Sequence, residues 1–271
     1  MFRDEALVLR RHDWSESSQI ANLLTREHGK RSVLAKGSRR ERLKGQGPRG
    51  IDLLSRLWVT IYPKRGDALD LLGDWEPLDV ATRIRASLET LLPALYLAEL
   101  ADALTPLADP APEVYDGLAW SLAALGGGGG GASPVRPRDS TGPFFSGLSR
   151  ILASLGYFHP RAGCAACGRS FAGHGPLRFA PASGGILCRD CKEDEPRTVP
   201  LSAGAGAVLA ALAAGNVDPL RVRVSRAQAA ELWRALSRFV WEVAEKRLRA
   251  EGAVDRLLAP RQAPARAGAA R

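Results

Sequence analysis

Over the first eighty residues apolar side chains recur at a spacing of two. Leu7 and Leu9 alternate with Val8 and Arg10, and Ile20, Leu23 and Leu24 form a second apolar run. Val33 and Ala35 alternate with Ser32, Leu34 and Lys36, Leu57, Val59 and Ile61 alternate with Trp58, Thr60 and Tyr62, and a fifth run covers Leu69 to Trp75. A period of two sends successive residues to opposite faces of a strand, and turn signals at His28-Gly29-Lys30 and from Pro63 to Asp67 separate the runs. Five short strands in so little chain predict a small barrel. An OB-fold is the commonest such barrel that handles single-stranded nucleic acid, and an SH3-like barrel fits the same periodicity.

From Ala81 the apolar spacing changes to threes and fours. Ile84, Leu88, Leu91 and Leu92 lead to Pro93, which either kinks a helix or opens the next one, and Leu95, Leu97, Leu100 and Leu104 follow. Pro112 to Leu125 predicts a further helix. The six consecutive glycines Gly126 to Gly131 begin a stretch that runs to Gly142 through Pro134 and Pro137. That composition is a flexible connector, and no Gly-Lys-Ser/Thr follows to make it a phosphate loop. Helical spacing resumes from Pro143 to Tyr157. Ser225 then stands as N-cap to a helix in which Leu232, Leu236, Phe239, Val240 and Val243 recur through to Leu248. Trp233 and Trp241 on that helix are expected to pack in a core or groove. The Ala-, Pro- and Arg-rich tail from Pro260 to Arg271 is expected to be disordered.

Charge changes the picture. The chain has 271 residues and a net charge of +9, most of it local. Between Arg26 and Arg49 stand nine cations (Arg26, Lys30, Arg31, Lys36, Arg39, Arg40, Arg42, Lys44 and Arg49) against Glu27 and Glu41, a net +7 in one window. A charge run is often only a solvated face. Concentrating nearly the whole excess in one segment favours a polyanion contact, because clustered cations displace the counterions condensed on phosphates. Lys36 to Lys44 is its densest part. Trp58, Tyr62 and Trp14 are candidate base-stacking residues, each with barrel packing or a surface cap as the competing role. Arg3, Asp4 and Glu5 fall where a secretory signal needs apolar residues, and the apolar stretch Ala203 to Ala214 is too short to span a bilayer, so a cytoplasmic protein with no membrane association is expected.

All four cysteines fall in one motif, Cys164-Ala-Ala-Cys167, twenty residues, then Cys188-Arg-Asp-Cys191. Each Cys-x-x-Cys turn aims two thiolates at one point, and two turns complete a tetrahedral shell for one Zn²⁺. Four protein ligands leave no open position, so the ion is expected to be structural. The loop between the pairs holds Gly173, Gly175, Pro176, Gly184 and Gly185 and promises little core of its own. Metal binding, worth about 10 to 16 kcal/mol in small zinc modules, would then supply most of its folding free energy. Other motifs carry no chemistry. Gly45-Gln-Gly47-Pro-Arg-Gly50 matches a dinucleotide pattern but follows a charged loop instead of a strand. Neither His12-Asp-Trp14 nor His28-Gly-Lys30 supplies the His-x-Glu of a zinc deaminase, and His159 and His174 are surplus to four thiolates.

The order of these parts resembles the RecO family of bacterial recombinational repair proteins. The resemblance rests on Leu7 to Glu16, Leu24 to Lys30, Ala35 to Arg40, Tyr96 to Leu100, Leu155 to Tyr157, and the cysteine pairs with Gly184 to Leu187 ahead of the second. It covers the chain to about residue 250; the glycine run with its Pro/Arg continuation and the C-terminal tail depart from it. It implies an α+β multidomain protein. An N-terminal five-stranded OB-fold barrel occupies 1–79 and a helical domain 80–160 with its linker at 126–142. An inserted four-cysteine zinc module follows at 161–197, then C-terminal helices at 198–259 and a tail at 260–271. It also implies binding of single- and double-stranded DNA, annealing of complementary strands, and work with RecR to load RecA onto strands covered by single-strand-binding protein, with no catalytic residues. Lys36, Arg39 and Arg40 match the family's basic barrel positions, and Arg42, Lys44, Lys30 and Arg31 extend that set of expected DNA contacts. Two other readings fit parts of the sequence: a zinc-ribbon accessory subunit of a nucleic-acid enzyme, and an interaction adaptor whose basic patch meets an acidic partner.

Overall fold

The computed structural model describes residues 1–38, 51–66, 68–127, 140–158, 163–171, 176–194, 197–214 and 222–259. Arg39, Arg40, Arg42, Lys44, the Gly-x-Gly-x-x-Gly stretch, most of the glycine connector, His159, His174 and the C-terminal tail lie outside those residues.

The five predicted strands form β1 (Phe2–Asp13), β2 (Gln19–Thr25), β3 (Gly29–Ala35), β4 (Arg56–Tyr62) and β5 (Asp70–Asp79). They close into a barrel in the order β1-β2-β3-β5-β4, with β3 and β5 parallel and every other pair antiparallel. This is the OB-fold arrangement, and the pairing decides between the two barrels that periodicity allowed. Ala6, Val8, Ala21, Leu23, Val33, Ala35, Leu57, Val59, Ile61, Leu72 and Trp75 fill the interior, with Ile51 among them. The alternation along β1 breaks at one place. Val8 pairs with Leu23 and Arg10 with Asn22, so Leu9 is an extra, bulged residue. Strict alternation would put Arg10 on the face of Val8, inside the barrel; the bulge turns it outward beside Asn22.

Seven α-helices are present among the described residues: α1 (Thr82–Arg85), α2 (Leu88–Leu104), α3 (Pro112–Leu125), α4 (Thr141–Ser154), α5 (Ala203–Ala214), α6 (Arg226–Ala244) and α7 (Glu251–Leu258). Pro93 neither ends nor opens a helix: α2 runs through it, started by Ser87, whose hydroxyl accepts the Glu89 N–H at 3.1 Å. α2 is buried around most of its circumference, because β1, α3, α4 and α7 pack on it from different sides. Ser225 caps α6 as expected, and its hydroxyl and the Gln228 side chain satisfy each other's backbone N–H groups. The helical pattern read through to Leu248 instead stops at Ala244, where Glu245 turns left-handed at φ 53°. The chain then reverses into α7.

One continuous core joins α2 to α7 with the outer face of β1, through Leu7 and Leu9, and with the small sheet that follows α4. That sheet has the order β7-β6-β8, from β6 (Leu177–Ala180), β7 (Gly185–Leu187) and β8 (Val199–Leu201). Phe179 of β6 meets Phe158 and Phe239 with ring centroids 6.4 and 5.8 Å apart, and Leu177, Ile186 and Leu201 sit in the same core. The cysteine segment therefore has more apolar support than its glycine content suggests, because it borrows the helical core. No described helix is long and apolar enough to cross a membrane.

Candidate nucleic-acid interface and metal centre

The two Cys-x-x-Cys turns meet. The sulfurs of Cys164, Cys167, Cys188 and Cys191 all lie within 4.8 Å of one another, and those of Cys167 and Cys188 are 3.8 Å apart. A tetrahedral zinc shell with Zn–S near 2.3 Å places its sulfurs about 3.8 Å apart, so the four thiols fit such an ion. The turns are fixed by backbone bonds. Gly168 N–H donates to Cys164 O and Cys164 N–H to Arg169 O, both at 2.8 Å, and Gly168 adopts φ 73°, a left-handed conformation open to glycine at little cost. Ala165 N–H donates to Ile186 O at 2.8 Å and ties the first turn to β7. Cys188 N–H points at Cys164 Sγ from 3.3 Å.

The electrostatics of the cluster favour a cation. Arg169 donates from Nε to Cys167 Sγ at 3.3 Å and pairs through Nη2 with Asp190 at 3.0 Å, spanning the two turns. Its hydrogen bond is the main reason the Cys167 thiol is lowered to about 6. Burial pushes Cys164 up, but N–H groups of Cys188, Cys167 and Ala166 outweigh it and lower the thiol. Cys191 goes the other way, to about 12, because it hydrogen-bonds the already anionic Cys167 and then Cys188. Four crowded sulfurs do not all ionise alone; a divalent ion would remove that repulsion and hold all four as thiolates. The residues can hold a metal ion, and every one of them comes from the sequence motif.

The expected DNA contacts separate into distinct environments. Lys36, one residue past β3, is exposed. Lys30 is 8% exposed and turned inward. Its Nζ donates to the backbone oxygen of Asp102 and lies 3.4 Å from Asp102 Oδ1. Arg31 is partly buried; it sits 3.6 Å from Asp70 Oδ2 and 5.4 Å above the Phe2 ring, which stacks on His28. The β2–β3 hairpin that carries Lys30, together with Glu5 of β1, is a structural clamp. Ala108 N–H donates to Lys30 O at 2.8 Å, Asn22 donates to Asp102 Oδ1 at 2.9 Å, Tyr115 to Glu5 at 3.0 Å, and Arg26 pairs with Asp116 at 3.0 Å. Burial, then Glu5, raises the Tyr115 hydroxyl well above its ordinary range.

OB barrels receive ligands on the β2–β3 face and on the loops joining β1 to β2 and β4 to β5. The first loop exposes 65% of Trp14. The second follows Tyr62, the 43% exposed last residue of β4, and runs through Lys64 and Arg65, both exposed, with Lys64 N–H donating to Asp70 Oδ1 at 2.8 Å. Lys64 and Arg65 were not among the expected contacts; their segment read only as a turn, and the barrel topology is what gives it a ligand-binding position. Trp58 is half-buried on the outer face of β4 with the Arg3 guanidinium 5.9 Å from its ring.

An OB-fold barrel packed on a helical body, with a cluster of four cysteines able to hold a metal ion inserted between helices, defines a narrow class of proteins. The chain belongs to the RecO family. Residues 1–81 match the model described as "Recombination protein O N terminal", and residues 85–251 the one described as "Recombination protein O C terminal". The chain is 30% identical over 264 residues to a DNA repair protein RecO of Symbiobacterium thermophilum, covering 96% of this chain and 99% of that protein. It is 34% identical over 260 residues to the protein of the same name from Anaeromyxobacter dehalogenans, covering 93% and 94%. With the one from Desulforudis audaxviator it shares 33% over 221 residues, 82% of either chain.

Proposed function

We propose that the chain is a recombinational DNA repair mediator of the cytoplasm. It binds single- and double-stranded DNA through its barrel, anneals complementary strands, and works with RecR to load RecA onto strands covered by single-strand-binding protein. The observation that carries this reading is an OB-fold barrel whose third strand leads directly into the exposed Lys36, the first residue of the densest cationic run in the chain. Family membership and the relatives' names support it.

The mechanism is physical and makes no covalent bond. Cations at the barrel draw in the phosphate backbone and release its counterions; once two strands are screened from each other, the bases pair by their own hydrogen bonding and stacking. Lys36, with Arg39, Arg40, Arg42 and Lys44, serves as the phosphate contact, and Lys64 and Arg65 extend it along the β4–β5 loop. Lys30 holds the barrel against α2 and α3 and so fixes this surface on the helical body. Bound Zn²⁺ would cross-link the two cysteine turns, and no part of the DNA chemistry passes through it. The test is binding of a labelled oligonucleotide across a salt series, followed by annealing of complementary strands with no nucleotide present. Binding that does not weaken with salt, or annealing that needs ATP hydrolysis by this chain, would overturn the reading.

A further inference from the structure

The bulge at Leu9 and the reversal after Glu245 bring cations from opposite ends of the chain to one place. A cleft of 520 Å³ opens between the barrel and the helical body. Its floor is apolar, from Leu9, Leu53, Leu95 and Leu248, and its rim carries Arg10, Arg11, Lys246, Arg247 and Arg249. None of these five cations belongs to the window from Arg26 to Arg49. Arg10 is there because the bulge turns it to the outer surface opposite Asn22.

The rim is held rigidly. Both Glu99 carboxylate oxygens accept backbone N–H groups at the start of α7, from Arg249 at 2.8 Å and Ala250 at 2.9 Å. Leu248 is 4% exposed in the helical core, while Arg247 and Arg249 on either side of it are exposed. The carboxylates that line the cleft are already committed, Glu99 to those N–H groups and Asp102 to Asn22 and Lys30. Arg11 reaches Asp52 at 3.6 Å in an exposed pair that water largely screens. Among the described residues no carboxylate lies within ion-pair distance of Arg10, Lys246, Arg247 or Arg249.

The cationic strip continues past the cleft. Arg247 also lines a neighbouring depression with Arg234, Arg238 and Trp241, where Glu251 is the carboxylate. The Trp241 ring is 40% exposed, with the Arg247 and Arg238 guanidiniums 5.2 and 5.7 Å from its centre. Arginines along an apolar floor, of which only Arg11 has a carboxylate within ion-pair distance among the described residues, ending at a 40% exposed indole, match a sugar-phosphate chain whose bases need an aromatic or apolar face.

We propose that this cleft binds the phosphate backbone of a second nucleic-acid strand, with Arg10, Arg11, Lys246, Arg247 and Arg249 as its contacts and Trp241 as a stacking face at its end. The inference rests on the DNA-binding reading of the barrel and adds a site that reading does not contain. One chain would hold two strands on separate surfaces, which is what annealing requires of a protein that breaks no bonds.

The experiment uses the full chain and two non-complementary oligonucleotides, one carrying a donor dye and the other an acceptor, so that energy transfer reports strands held together without pairing. Arg247→Glu/Arg249→Glu is expected to bind the first strand within about twofold of the unaltered chain, to lose co-binding by about tenfold, and to flatten the salt slope of second-strand binding by about 1.4 for two lost contacts. Arg247→Gln/Arg249→Gln, checked for its fold by circular dichroism, should show the same loss in milder form. Trp241→Ala should weaken co-binding and Trp241→Phe restore it. Lys36→Glu should instead weaken the first strand. If both cleft variants hold two strands as the unaltered chain does, the cleft is not a strand site, even should it prove to capture an acidic peptide. An unaltered chain that binds no strand at all would sink the barrel reading too, so the two failures are told apart.

Discussion

Lys30 Nζ lies 3.4 Å from Asp102 Oδ1 and donates to the Asp102 backbone oxygen, joining β3 of the barrel to the last turns of α2 across seventy-two residues of chain. One of the cations in the basic window is thus spent inside the molecule. Both side chains are mostly buried, so removing one partner leaves the other charge poorly solvated. Lys30→Ala is expected to destabilise the fold by about 3 kcal/mol in urea denaturation. Affinity for DNA, measured well below the melting temperature, should stay near that of the unaltered chain; a large loss of affinity in a stably folded Lys30→Ala protein would instead make Lys30 a DNA contact.

Lys36 is the complementary case, exposed and with no ion pair or side-chain hydrogen bond among the described residues. Binding through about five phosphate contacts gives a slope of log affinity on log salt near −3.5 for a single strand. Lys36→Glu should weaken binding and flatten that slope by about 0.7, and Arg39→Glu/Arg40→Glu by about twice as much. Reversal of all three with no change in slope would remove the basic run from the interface.

One zinc per chain is expected in elemental analysis of reduced protein. Cys191, pushed up to about 12, keeps its proton until the ion arrives, so zinc uptake should release protons, seen as a buffer-dependent heat in calorimetry. Chelation, or Cys188→Ser, should lower the melting temperature and expose the β6–β8 sheet to proteolysis, because the two cysteine turns that flank β6 and β7 lose their cross-link. Barrel binding of DNA should survive in the chelated protein while it remains folded. A reduced protein that carries no metal would defeat the assignment of the centre.

Gly29 reports on the same junction as Lys30 by a different route. Its φ is 72°, and an added Cβ would lie 2.1 Å from the Asp109 backbone oxygen. Strain and overlap act together, so Gly29→Ala is expected to cost more than about 1 kcal/mol, with the barrel and the α2–α3 connection forced apart. A melting temperature equal to that of the unaltered chain would show that the hairpin does not bear on the helical body as described.

The sequence alone marked most of the local elements, though not the end of α6 at Ala244 or the small sheet β6–β8. Alternation and short apolar runs marked the five barrel strands, Pro112 and Ser225 marked the starts of α3 and α6, and four cysteines at fixed spacing marked a cluster that the fold gathers into a shell able to hold a metal ion. Those signals are short-range: a side chain's periodicity states which faces are buried, and a two-residue gap between thiols already makes a turn. Only the tertiary structure decided which partner each face meets. It chose the OB order of strands, ran α2 through Pro93, sent Lys30 inward and Arg10 outward, and separated Trp233, buried in the core, from Trp241, left open between two arginines. In a linear sequence a lysine bound for a carboxylate seventy-two residues away is indistinguishable from one bound for phosphate, because its charge is the same and the desolvation that commits it exists only once the chain has folded.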